Sequence, residues 1–89
     1  MGDVVAIFKV VIDKEADKEK IKEEIKKIVE KKEGYLNEIK ETPFVFGLIA
    51  LDSTVIIDEN KPHLLDEIEE ELKKIEGVNS VEISHLDRL

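Results

Sequence analysis

The stretch Val4-Val5-Ala6-Ile7-Phe8-Lys9-Val10-Val11-Ile12 carries apolar side chains on both sides of an extended chain. Successive residues of a strand point to opposite faces, so Val4, Ala6, Phe8, Val10 and Ile12 share one face and Val5, Ile7 and Val11 the other. A strand apolar on both faces belongs in the middle of a sheet. Asp13 to Ala16 is a polar connection, and Asp17 is placed to cap a helix running to about Lys32. Ile21, Ile25, Ile28 and Val29 fall on one helical face, and Lys and Glu fill the rest. Glu33-Gly34 ends this helix, with the glycine expected in the left-handed cap conformation. Tyr35 to Thr42 is a shorter, more polar strand suited to a sheet edge, and Pro43 punctuates it. Phe44 to Ile57 is a long apolar stretch with strand chemistry.

The second half repeats the plan. Asp58-Glu59-Asn60 makes a turn, and Asn60 is the expected cap of a helix that tolerates Pro62 in its first turn. Leu64, Leu65, Ile68, Leu72 and Ile75 form its apolar stripe. Glu69–Lys73 and Glu70–Lys74 are i,i+4 pairs in the favourable order. Glu76-Gly77 ends it as Glu33-Gly34 ended the first. Val78 to Leu86 alternates, with Val81, Ile83 and His85 against Glu82 and Ser84, as a half-buried strand does. The order βαββαβ, with right-handed crossovers, places two helices on one face of a four-stranded antiparallel sheet. This is the α+β, ferredoxin-like sandwich, expected here as a single domain over residues 1–89. Helices cover only one face of such a sheet, so the two-faced first strand leaves apolar surface exposed. Scattered aliphatics and a partner surface both account for it.

Charged residues make up 40% of the chain and the net charge is −8, with Arg88 the only arginine. Such a surface repels phosphate backbones and acidic membranes, so neither nucleic acid nor membrane is an expected partner. A protein with a basic face suits this field. The chain has no cysteine, which removes disulfides and thiolate metal sites and points to a reducing, cytoplasmic setting. No apolar run approaches the roughly 18 residues of a membrane helix.

Chemistry of the chain's own has little support. His63 falls in the first turn of the second helix and His85 near the end of the last strand, without ligand spacing, so no metal or cofactor is expected. Most carboxylates lie among lysines on helix faces. The loop Ile12 to Asp17 lacks the arginine cradle of an acylphosphatase-like site. A basic sheet bearing stacking aromatics, as in RNA-recognition domains, is excluded by the sign of the charge. Two features remain. Pro43-Phe44-Val45-Phe46-Gly47-Leu48 sets two aromatics beside a glycine, and His85-Leu86-Asp87-Arg88-Leu89 holds a cation close to the domain body.

These residues resemble the nucleotide-exchange domain of translation elongation factor 1-beta in its short archaeal form. The resemblance spans the chain, through Met1 to Ala6, Pro43 to Leu51 and Val81 to Leu89. It implies a guanine-nucleotide exchange factor for the GTPase elongation factor 1-alpha, not an enzyme with bond chemistry of its own, and monomeric when free. The family's Phe-Gly aromatic corresponds to Phe46, flanked by Gly47 and Phe44. Its basic residue near the magnesium and phosphate region of the GTPase corresponds to Arg88, with Leu89 as a secondary contact. Eukaryotic members carry lysine there, and the two cations are not interchangeable. The alternative is a ferredoxin-like regulatory or ligand-binding domain that dimerises through its open sheet face.

Overall fold

A computed structural model describes residues 2–89; Met1, which opens the first of the resembling segments, lies outside the described residues. The elements are β1 (Asp3–Ile12), α1 (Lys18–Lys31), β2 (Tyr35–Pro43), a 3-10 turn (Val45–Gly47), β3 (Ile49–Asp58), α2 (His63–Lys73) and β4 (Val78–Arg88). All pairings are antiparallel and the strand order is β2-β3-β1-β4. The twice-apolar β1 is therefore central, and the polar β2 is an edge strand, where Pro43 sacrifices no ladder bond.

One face of β1 builds the core. Ala6, Phe8, Val10 and Ile12 pack with Leu51, Val55 and Ile57 of β3 and Val81 of β4. Ile21, Ile25 and Val29 of α1 and Leu65, Ile68 and Leu72 of α2 cover them. Asp17 caps α1 as its side chain accepts from the Lys20 N–H at 3.2 Å.

Four local expectations are corrected. At the end of α1 the left-handed residue is Glu33 (φ 62°), not Gly34. The Gly34 N–H donates to the Val29 carbonyl (2.9 Å) and the Glu33 N–H to that of Glu30 (3.0 Å), the paired bonds of a Schellman motif. Gly34 sits in a tight space instead, because a Cβ there would meet Val29 Cγ1 at 3.1 Å and Ile57 Cγ2 at 3.3 Å. Asn60 does not cap α2: its N–H donates to Asp58 Oδ1 (2.9 Å), and Pro62, already at φ −65°, occupies the cap position. Lys73 pairs with both Glu69 (3.3 Å) and Glu70 (3.7 Å), which takes the place of the Glu70–Lys74 pair. Finally, the alternation of β4 breaks at a bulge. Phe8 pairs with Ile83 but Ile7 with His85, so Ser84 is the extra residue, and His85 turns away from the helices.

Candidate functional site

The chain reverses between β2 and β3, where a longer strand was expected. Pro43 is the register partner of Ile49, and the five residues between them form a tight turn. The Phe44 N–H donates to the Leu48 carbonyl at 2.9 Å, and the Leu48 N–H to that of Val45 at 3.2 Å. Phe46 (φ 59°) and Gly47 (φ 76°) both adopt left-handed backbone. Glycine does so freely, whereas a bulky residue costs about 1–3 kcal/mol. Here the strained residue is also the most exposed of the large apolar side chains: Phe46 is 89% accessible, with Val45 beside it at 58%.

Phe44 behaves differently. It is half-buried, and its ring lies 5.9 Å from the Lys9 Nζ on the open face of β1. Lys9 Nζ in turn lies 3.9 Å from Asp52 Oδ1, while Asp52 Oδ2 accepts from the Thr42 hydroxyl at 3.2 Å. Gly47 sits against Lys14, whose Cε would lie 2.7 Å from a Cβ at that position. Val11 and Ala50, register partners on this open face, are buried although no helix covers it. Part of the apolar surface expected on the open face is thus out of solvent. Val5, Ile7 and Ile56 remain there half-buried.

The second candidate lies at the other end. Arg88 pairs with Val4, and the Leu89 N–H donates to the Asp3 carbonyl at 2.9 Å, so the last residues are held as sheet. Arg88 is exposed, and its guanidinium forms no ion pair with any described residue. From Val4 to Ile12 the central strand advances eight residues, about 26 Å at 3.3 Å each. The structure thus gathers Phe44, Phe46 and Gly47 in one turn and keeps Arg88 and Leu89 apart from them.

His63 and His85 are exposed, and no group of three metal-ligating side chains occurs among the described residues. A groove of about 580 Å³ between the β1–α1 connection and the end of α2 is lined by Asp13, Glu15, Asp17, Lys20 and Glu24 among others. Sequence reasoning passed over Lys9, Asp52 and Lys14. The one usable signal was Lys9 itself, the only charge inside an otherwise apolar strand.

The ferredoxin-like sandwich thus displays an aromatic on a strained turn at one end and, at the other, a cation with no ion pair among the described residues. Residues 5–89 match the EF-1 guanine nucleotide exchange domain, and the chain belongs to that family. Elongation factor 1-beta of Methanothermobacter thermautotrophicus is 38% identical, the match covering 100% of this chain and 99% of that protein. Elongation factor 1-beta of Methanoculleus marisnigri is also 38% identical, over 93% of each chain. Among solved structures, the C-terminal domain of the MgtC protein from Mycobacterium tuberculosis superposes with a TM-score of 0.72 at 18% identity, covering 100% of this chain and 88% of that one. The ACT domain from GTP pyrophosphokinase of Chlorobium tepidum gives 0.64, also at 18% identity, over 98% and 99%. At that identity these two share the fold alone. No helix among the described residues is long and apolar enough to cross a membrane.

Proposed function

We propose that this protein promotes GDP release from, and GTP loading on, the translation GTPase elongation factor 1-alpha, by contact alone. The observation that carries this is Phe46, a phenyl ring exposed on strained backbone within a chain of the exchange family. Strain persists where the surroundings hold it, and it concentrates at functional sites. Phe46 docks into the GTPase, and Val45 and Gly47 shape the contact. Arg88, with Leu89 beside it, approaches the magnesium and phosphate region of the nucleotide site.

A GTPase holds its nucleotide with backbone donors, a lysine and magnesium. A cation brought near the metal position weakens magnesium and phosphate binding electrostatically, with no bond made or broken. Arginine keeps its charge at all working pH values, but its planar fork is bulkier than an ammonium group, so its route to the metal differs from that of lysine. Coupling is reciprocal: the factor by which the module weakens GDP is the factor by which GDP weakens the module.

Reciprocity supplies the test. The protein should bind nucleotide-free elongation factor 1-alpha in sedimentation, and added GDP with magnesium should dissociate the complex. Equal binding with and without nucleotide would contradict exchange while leaving a binding module. The free protein is proposed to be monomeric, because the middle of its open face carries Lys40, Asp52, Lys9 and Glu82 in one cross-strand row. Face-to-face dimerisation would bury that charged row.

A further inference from the structure

We infer that Lys9, anchored by Asp52, is a positioning residue that acts through Phe44 to hold the Phe46 turn in its docking geometry. The inference rests on the proposed role of Phe46 for its functional consequence, but not for its structural one.

Lys9 is the only charged residue in a strand otherwise apolar from Val4 to Ile12. It is half-buried, a costly place for an ammonium group unless its neighbours compensate. Two do so. The face of the Phe44 ring lies 5.9 Å from Nζ, within the range of cation–π attraction. Asp52 Oδ1 lies 3.9 Å away and is itself buried without a hydrogen-bond partner, so Lys9 is the counter-charge the structure gives it. Thr42 fixes the other oxygen of Asp52 at 3.2 Å, and Thr42 stands on β2 immediately before Pro43. A chain of contacts therefore runs from Thr42 to Asp52, Lys9 and the Phe44 ring.

Phe44 is the residue through which this chain reaches the turn. Its N–H closes the turn onto Leu48, and two residues later Phe46 sits in left-handed backbone. Such backbone relaxes unless both flanks of the turn are fixed. Lys14 lies close to Gly47 on one flank, and Lys9 beneath Phe44 restrains the other. Phe44 and Phe46 thus divide the work expected of a pair of aromatics: the inner ring anchors and the outer ring is presented.

The test compares Lys9→Met, which keeps most of the unbranched length and loses the charge, with Lys9→Arg, which keeps the charge. Amide hydrogen exchange follows local opening, so the Phe44 and Leu48 amides report on the turn and the Phe8 and Val55 amides on the sheet. Lys9→Met should speed exchange at Phe44 and Leu48 about 3- to 10-fold and leave Phe8 and Val55 protected. It should raise the concentration of protein giving half-maximal GDP release by a similar factor, at unchanged maximal rate. Lys9→Arg should restore both readouts. Phe44→Leu, which leaves Lys9 in place, should loosen the same two amides and covers the case in which Lys9→Met does not fold. Unaltered turn protection in Lys9→Met, or failure of Lys9→Arg to restore it, overturns the inference. If the wild-type protein releases no GDP, the functional proposal fails alone, and the turn amides still decide the role of Lys9.

Discussion

Phe46 and Arg88 stand at opposite ends of the central strand. The turn that carries Phe46 lies beyond the Ile12–Ile49 pair, and Arg88 pairs with Val4, about 26 Å away along β1. A partner that engages both must contact the module at two separate points. Residues so far apart with no shared neighbours contribute almost additively.

The first prediction follows from that separation. Phe46→Ala should raise the half-saturating concentration for GDP release at least 10-fold, as loss of an aromatic anchor costs about 2 kcal/mol or more. Its maximal rate should hold. Arg88→Ala should lower the maximal rate with little change in half-saturation or in melting temperature. The double variant should show both defects independently, and strong non-additivity in titrations of release rate would contradict the two-point contact.

The second concerns stability. Phe46 contributes almost no burial and pays for a left-handed conformation that glycine adopts freely. Phe46→Gly should therefore leave the fold as stable as wild type or more so, by up to about 1 kcal/mol, while exchange activity falls. A loss of more than about 1 kcal/mol in chemical denaturation would show that the ring packs on the fold.

The third concerns pH and salt. A hydrogen bond from Lys22, then one from Lys18, lowers the pKa of Glu41 below its ordinary 4.5, and a hydrogen bond from Lys32 lowers that of Glu67. Their stabilisation is complete above 4.5 and is lost as pH falls through the lowered values. Bonds to Glu41, Glu67, Glu33 and Glu69 raise Lys22, Lys32, Lys61 and Lys73 above 10.5. That stabilisation is complete below 10.5 and is lost as pH rises through the raised values. Melting temperature should thus be level between these limits and decline outside them. High salt should reduce the contribution, because these groups are exposed or only half-buried. Glu41→Gln should shrink the acid decline, and an unchanged acid limb would exclude Glu41 as a contributor.

The fourth concerns the open sheet face. Sedimentation of the free protein should give a monomer up to about 100 µM, below the strength expected of a well-packed standard interface. A tight dimer dissociated by Lys9→Glu would place the interface on the charged row and favour the regulatory alternative.

Much of this fold was legible in the sequence. The two-faced apolar pattern of β1 put it in the sheet centre, and the isoleucine spacing of α1 named the face it buries. Periodicity reports which side of an element is covered, and it succeeded wherever burial was the question. It failed where a backbone conformation depends on distant neighbours. Gly34 signalled a left-handed cap, yet the crowding of Val29 and Ile57 explains that glycine, and Glu33 took the left-handed position. Phe44 to Leu48 is largely apolar like a strand, and the only local marks of the reversal are Pro43 before it and Gly47 within it. The bulge at Ser84 depends on the register of β4 against β1, which no single strand encodes. The candidate residues Phe46 and Arg88 were found through the family resemblance; their placement at opposite ends of β1 and the bracing by Lys9 needed the fold.

The most direct test of the exchange proposal is release of a fluorescent GDP analogue from elongation factor 1-alpha in excess unlabelled nucleotide. With the protein at one-tenth the GTPase concentration, release should accelerate and every GTPase molecule should turn over, the mark of a catalyst. Release that stays at the spontaneous rate across a wide range of protein concentrations would contradict the account.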